Sequence, residues 1–212
     1  MLMLNTIFEY FKALSDTQKN QLAQLEPIYK FWNNQINVVS RKDIDNLYDH
    51  HVLHSLAIAK FVSFKDSTRI MDYGTGGGFP GIPLAIMYPN CQFNLVDSVG
   101  KKLIVTNAVV KELSLKNVNC YHMRAEQIDA KYDFVVARAV AKTEVIWPIV
   151  KDKLSAKSIN DLPNGLLYLK GDDDVNILPK SVVCKKWLIS QAFIEPYFTG
   201  KALVLLSKSS KI

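Results

Sequence analysis

Only three of the 212 residues are cysteine, Cys91, Cys120 and Cys184, and none is paired with another at CxxC spacing. A disulfide framework and a thiolate metal site are therefore both excluded as organising devices. Isolated thiols beside apolar neighbours read as buried free cysteines in a reducing compartment. Histidine is scarce too. His50, His51 and His54 crowd one segment, yet no cysteine or acid cluster at ligand spacing completes a set, so no metal is expected. Repeats and low-complexity tracts are missing. Met1-Leu2-Met3-Leu4 is followed by Glu9 without a basic leader, which argues against a signal peptide. The longest uncharged stretch, residues 73–96, holds five glycines and three prolines, so it cannot cross a membrane as a helix. The expected location is the cytoplasm.

What is present is ordinary globular composition, 49% hydrophobic and 22% charged with a mean hydropathy of +0.03, in a length that buries a core without staples. A net charge of +6 and a pI near 9.1 make a polyanionic partner plausible. The amino-terminal third is helical in period. Leu4, Ile7, Phe8, Phe11 and Leu14 share one face, and Ser15 with Gln18 three residues on forms a capping box for a second helix. Leu22, Leu25, Ile28, Tyr29 and Trp32 continue the stripe, with Pro27 predicted to kink or break it. After the polar connector 37–43, a further helix is predicted over 46–62, and Lys65-Asp66-Ser67-Thr68 marks a boundary. The division is a helical extension, 1–64, and a sheet domain, 65–212.

The sheet domain opens on Arg69-Ile70-Met71-Asp72, breaks into Gly74, Gly76, Gly77 and Gly78, and resumes at Ile82-Pro83-Leu84. That is strand, tight loop, helix, the first βα unit of a nucleotide-type sheet. Gly76-x-Gly78-x-x-Gly81 satisfies the dinucleotide fingerprint, and Asp97 lies where a ribose-binding acid is expected, so the spacing alone decides nothing. Pro80 and Pro83 remove N–H donors that a diphosphate would use, and Asp72 at the strand tip would repel phosphate and attract an amine. S-adenosylmethionine, with an ammonium and a sulfonium and no phosphate, suits these residues better.

Strands are predicted over 69–73, 92–97, 117–122, 133–137, 165–169, 182–189 and 202–208, and helices over 81–88, 100–114 and 143–154. The pattern is a doubly wound α/β sheet. No helix separates the last two strands, which predicts a closing antiparallel pair. Ligands of such sheets sit at the carboxyl ends of the strands. Those ends carry Gly74, Gly76 and Gly78 after the first strand, and Asp97 and Ser98 after the second. Asp97 reads equally as a ribose acceptor or a helix cap. Arg124-Ala125-Glu126 follows the third strand, Arg138 the fourth and Lys170-Gly171 the fifth. Arg138 could equally pair with a local acid.

Asn37-Val-Val-Ser40-Arg41, His51-Val-Leu-His54-Ser55, Asp72-Tyr-Gly-Thr-Gly-Gly-Gly-Phe-Pro-Gly-Ile-Pro83, Val96-Asp97-Ser98-Val-Gly-Lys101-Lys102, Arg138-Ala139 and Leu169-Lys170-Gly171 occur in that order. Together they resemble the bacterial 16S rRNA guanine-N7 methyltransferases, the glucose-inhibited division protein B family, over residues 20–208. Three positions depart from the family pattern: His54, where an acid is frequent, Gly76-Gly77-Gly78, where Gly-Pro-Gly is frequent, and Lys201, where an arginine is frequent. The resemblance implies a class I S-adenosylmethionine-dependent methyltransferase, with a Rossmann-like sheet of seven mostly parallel strands behind an amino-terminal helical extension. It implies cofactor contacts at Gly74, Phe79, Ala125, Glu126 and Arg138. The implied partner is 16S rRNA within the small subunit or an assembly intermediate, met by a monomer. Arg41, His51 and Lys170 are the candidate substrate contacts. No catalytic base is expected, because guanine N7 carries a lone pair and no proton. A small-molecule methyltransferase, a dinucleotide oxidoreductase and a non-catalytic RNA-binding module are the competing readings.

Overall fold

The computed structural model describes residues 2–172 and 181–209. Helix α1 spans Leu2–Tyr10 and α2 spans Asp16–Asn33. The α2 start is set by the predicted capping box, with Gln18 N donating to Ser15 Oγ at 3.3 Å and Ser15 N to Gln18 Oε1 at 2.9 Å, two orphan donors satisfied reciprocally. Pro27 does not break α2, which runs unbroken through it. A proline deprives the carbonyl four residues back of its donor, and here the Tyr48 hydroxyl fills that role, reaching Leu22 O at 3.0 Å and Ala23 O at 3.1 Å. Tyr48→Phe is accordingly expected to destabilise the fold by about 1–2 kcal/mol, measured by chemical denaturation; no change would show the carbonyl is satisfied otherwise.

The helix predicted over 46–62 is three pieces, a 3-10 turn Ile44–Asn46, a π-helical stretch Leu47–Leu53 and α3, His54–Phe61. The apolar period persists through the wider turn, since Leu47, Val52, Leu53, Leu56 and Ala57 are all fully buried. Hydrophobic spacing therefore gave the element without its local winding.

Seven strands follow: β1 Arg69–Tyr73, β2 Gln92–Asp97, β3 Val118–His122, β4 Phe134–Arg138, β5 Gly165–Gly171, β6 Val182–Leu188 and β7 Lys201–Lys208. Helices α4, Gly81–Met87, α5, Gly100–Glu112, and α6, Thr143–Val150, lie between them. Strand order is β3-β2-β1-β4-β5-β7-β6, parallel from β3 through β5 and antiparallel at β7 and β6. The closing antiparallel pair is thus as predicted, joined by two short 3-10 turns. Both faces of the central strands are covered. Phe134, Val136, Leu167, Leu203 and Leu205 pack with the amino-terminal helices, α4 and α5, while Val135, Ala137, Leu166, Val204 and Leu206 pack with α6, the period-two alternation of doubly buried strands. Residues of α2 and α3 share one core with the sheet, and Gln18 Nε2 donates to the Ile86 and Met87 carbonyls at the end of α4.

The buried-cysteine expectation needs correction. Cys91 is buried, Cys120 is half-buried and Cys184 is exposed on β6, because β6 is an edge strand whose face is largely uncovered. Among the described residues no helix is long and apolar enough to cross a membrane, and no three histidine, cysteine or acidic residues come together as a metal site.

Candidate cofactor and substrate site

Strand order reverses between β1 and β4, and ligand crevices of open α/β sheets form at such switch points beyond the carboxyl ends of the strands. Two hollows open along that edge. One, of about 110 Å³, lies over β1, β2 and β3, lined by Tyr73, Gly74, Asp97, Ser98, Ala125 and Glu126 among others. The other, of about 500 Å³, lies over β4, β5 and the start of β7, lined by His51, His54, Arg138, Tyr168, Lys170 and Lys201 among others.

The loop after β1 is shaped by its glycines. Gly74, Gly76 and Gly78 have φ of +67°, +57° and +98°, values that L side chains rarely adopt. Most of its N–H groups are spent internally. Gly76 N donates to Asp97 Oδ2 at 2.8 Å and Gly81 N to Asp72 Oδ2 at 2.8 Å. Thr75 N donates to Val96 O, Gly78 N and Phe79 N to Thr75 O, and Ile82 N to Gly78 O. The first N–H groups of α4, Gly81 N and Ile82 N, are therefore already taken.

Asp72 also departs from its expected place. It is fully buried, and Oδ2 accepts from Thr75 Oγ1 at 2.6 Å as well as from Gly81 N. It braces the loop from beneath instead of facing an amine. Burial pushes its carboxyl up to about 7, against the hydrogen bonds from Thr75 and Gly81 that favour the anion. Asp97 is not the cap of α5, whose N-cap is Val99 with no side-chain cap bond. Oδ1 accepts from Val99 N at 2.8 Å just ahead of α5, Oδ2 ties down Gly76, and the residue still borders the small hollow. Asp97→Asn replaces one acceptor by a donor opposite an N–H, so a loss of about 2 kcal/mol in stability and at least about tenfold weaker S-adenosylhomocysteine binding are expected. Calorimetry on both proteins checks this, and equal affinities would show that the brace is dispensable.

Phe79 is buried and lines neither hollow. Its ring lies 4.9 Å from Tyr29, 5.3 Å from His51 and 5.3 Å from the Arg138 guanidinium. Gly78 fits only because it lacks a side chain, a Cβ there falling 2.4 Å from Ile82 Cδ1.

Arg138 does not pair with a local acid in the way considered above. Nη1 donates to His50 O at 2.9 Å and Nη2 to His51 Nδ1 at 2.8 Å. His51 Nε2 in turn donates to Asp43 Oδ2 at 2.6 Å, and His50 Nδ1 meets Asp43 Oδ1 at 2.5 Å. Burial alone would raise Asp43, but the two histidine hydrogen bonds outweigh it and hold the carboxyl below its ordinary value. Burial first and the Arg138 charge second bring His51 down to about 4. His51 is therefore neutral near pH 7, with both nitrogens committed.

Of the candidate substrate contacts, His51 and Lys170 border the large hollow and Arg41 does not. Arg41 is exposed and borders a separate surface depression with Lys30, Asn33 and Asp45. Lys170 is buried and Nζ donates to Thr143 Oγ1 at 2.7 Å. Tyr197 and Lys201 were missed by sequence reasoning. Tyr197 stacks on His50 at 3.8 Å with Lys201 Nζ 3.7 Å from its ring centre, and it arrives on a 3-10 turn with no motif to mark it.

Relatives carry the same plan. The protein family described as GidB, rRNA small subunit methyltransferase G, matches residues 18–174. A protein of Phocaeicola vulgatus named ribosomal RNA small subunit methyltransferase G is 46% identical over 207 residues, covering 97% of this chain and 99% of that one. A protein of Cytophaga hutchinsonii with the same name is 48% identical over 202 residues, covering 95% and 98%. Among solved structures, a mutant of MtNAS in complex with S-adenosylmethionine aligns with a TM-score of 0.58 at 16% identity, covering 90% of this chain and 76% of that one. TrmN from Thermus thermophilus aligns with a TM-score of 0.57 at 14% identity, covering 73% and 48%. These two show the shared class I sheet, whereas near-half identity along almost the whole length decides membership: the chain belongs to the GidB family of rRNA small subunit methyltransferases.

Proposed function

We propose that this chain transfers the methyl group of S-adenosylmethionine to N7 of a guanine in the 16S rRNA of the small ribosomal subunit. The observation that carries the cofactor half is the internal use of the loop's N–H groups on Asp72, Asp97, Thr75 and Gly78. A diphosphate needs those donors, and a sulfonium compound does not. In this reading the small hollow takes the nucleoside end. Asp97, with lone pairs left after its two backbone bonds, accepts the ribose hydroxyls. Gly74, Ser98, Ala125 and Glu126 surround it, and Arg138, over the Phe79 ring, borders the second hollow.

S-adenosylmethionine supplies the methyl group. The protein's task is to hold guanine N7 in line with it, since an in-plane lone pair needs orientation and no proton removal. The large hollow fits that task. Among the described residues no carboxylate borders it, His51 is neutral and committed, and Arg138, Lys170 and Lys201 are donors only. They orient O6 or a phosphate. Guanine N7 in A-form RNA faces a deep, narrow groove, so the target base lies in an unpaired or opened segment. Arg41 and Lys42, exposed on the connector before the π-helix, belong to the RNA platform in this reading.

The test is incubation with labelled cofactor and small subunits from a strain lacking the enzyme, followed by reductive strand cleavage at N7-methylated guanine. A single cleavage site is expected, with a rate that falls as salt rises. Label appearing only in small molecules, or a thermal shift with NAD and none with S-adenosylhomocysteine, would defeat the reading.

A further inference from the structure

The turn between β4 and α6 lies where the two hollows come together. Arg138 ends β4 and, with Ala139, borders the large hollow. Val140 then packs on Gly74, which borders the small one, and a Cβ built on Gly74 would fall 2.4 Å from Val140 Cγ1. A methyl group leaving a cofactor in the small hollow for a base in the large one passes beside these residues. The shape of the turn therefore bears on the geometry of transfer.

That shape is imposed on the turn from outside. Ala139 has a φ of +51°, a conformation costly for a residue with a Cβ, which persists only where the surroundings hold it. Both backbone groups of Ala141 go to a single side chain. Ala141 N donates to Tyr168 Oη at 3.2 Å, and Tyr168 Oη donates to Ala141 O at 2.5 Å. Two residues further on, Thr143 opens α6, and its Oγ1 accepts from Lys170 Nζ at 2.7 Å. Tyr168 and Lys170 are alternate residues of β5, so both leave the sheet on the face that α6 covers. The strand thus fastens the turn at two points. The Tyr168 ring is 3% exposed, and its hydroxyl has its proton and one lone pair committed to Ala141. Phenylalanine at 168 would keep the ring packing and remove only the fastening.

We propose that Tyr168 is a positioning residue for the transfer, its hydroxyl holding the β4–α6 turn so that Arg138 and Ala139 meet the base at a fixed distance from a cofactor seated at Gly74. It touches no reacting atom. This rests on the function proposed above and assigns that site the device that sets its geometry. Misplacement by about 1 Å at a reacting centre costs on the order of a hundredfold in rate, so a loosened turn reduces kcat before it weakens binding.

The experiment compares the unaltered protein with Tyr168→Phe, Thr143→Val and the double variant. The readings are melting temperature, S-adenosylhomocysteine stoichiometry and affinity, amide hydrogen exchange over residues 139–142, and kcat and KM on undermethylated small subunits. Tyr168→Phe is expected to bind S-adenosylhomocysteine one to one with affinity within threefold. Its turn amides should exchange at least tenfold faster while those of β4 stay as they were. Its kcat should fall at least tenfold with KM for subunits within threefold. Thr143→Val should lower kcat in the same direction, and the double variant should lose less than the product of the two, because both act through one turn. A Tyr168→Phe protein with kcat within twofold of the unaltered one, or with unchanged exchange in the turn, overturns the assignment. So does a raised KM at unchanged kcat, which would make Tyr168 a substrate contact, or a melting temperature several degrees lower with S-adenosylhomocysteine lost, which would make it a structural member. If Tyr168→Phe does not fold, Thr143→Val decides by the same exchange and kcat readings. Faster exchange in the variant beside an unaltered protein that transfers no methyl group refutes the underlying function instead.

Discussion

Gly78→Ala is expected to abolish S-adenosylhomocysteine binding and to lower the melting temperature, while Gly76→Ala is expected to leave a folded, binding protein. Both positions have positive φ, +98° and +57°, and that alone costs a non-glycine residue about 1–2 kcal/mol. The surroundings separate them. A Cβ at 78 would lie 2.4 Å from Ile82 Cδ1 and 3.0 Å from the Tyr29 hydroxyl, whereas at 76 nothing comes nearer than Gly74 O at 4.0 Å. Ile82 and Tyr29 are fully buried, so neither can swing away, and the overpacking adds about 1–3 kcal/mol. Tyr29 also holds the loop through its hydrogen bond to Gly77 O at 2.5 Å. The loop must give way where the core cannot, which carries Gly76 N off Asp97. Thermal melting and calorimetric titration on both variants decide the matter. Equal losses would show that backbone strain alone governs the loop, and equal retention would show that Ile82 has room to repack.

Most of the sheet was legible because its signals are local. Short apolar runs bounded by glycine, proline or acids gave all seven strands to within one residue at each end, apart from β5, which extends through Lys170 and Gly171. Its extra pairs with β7, Lys170 with Ala202 and Gly171 with Lys201, depend on a strand thirty residues away and leave no trace in the local run. The Ser15 capping box was readable for the same reason, its whole mechanism lying within four residues. Pro27 misled because the group that compensates for it, the Tyr48 hydroxyl, is 21 positions away in the chain.

The site was legible in position and less so in role. Glycines at 74, 76 and 78 mark a close backbone approach, and each does take positive φ. An acid at the end of a strand, by contrast, has the same one-letter signature whether it points at a ligand or under the loop. Asp97 keeps one edge on the small hollow, while Asp72, next to last in its strand, is turned inward. The π-helical turn is subtler still. It lets consecutive His50 and His51 reach the two oxygens of Asp43, an arrangement that a regular helical wheel does not suggest.

Arg138→Met should lower methyl transfer by two to three orders of magnitude, about the effect of removing one oriented donor from a polar site, and should also change how stability depends on acid. The guanidinium satisfies His50 O and His51 Nδ1 together, and methionine fills its volume without a donor. Loss of the charge removes the second cause holding His51 near 4, so the variant's His51 should titrate closer to 6.5. The sign follows from proton counting. Between about 4 and 6.5 the unfolded His51 is protonated and the folded one is not, so His51 contributes stability that grows as pH rises through that window, about 3 kcal/mol in all. Asp43, held below its ordinary value, loses its contribution in the same direction as pH falls through its own lower range. Buried Asp72, raised to about 7, contributes the opposite slope in the His51 window, so the test is the difference in slope between variant and unaltered protein. In the variant the His51 share shrinks, and the slope of unfolding free energy against pH between 4.5 and 6 should fall by up to about 1.4 kcal/mol per pH unit. Denaturation curves at several pH values measure that slope, and His51→Gln should flatten it similarly. An unchanged slope in both variants would mean that His51 is not the group whose protonation the fold resists, and the Asp43–His51–Arg138 chain would lose its assigned role as the support that holds the guanidinium in place.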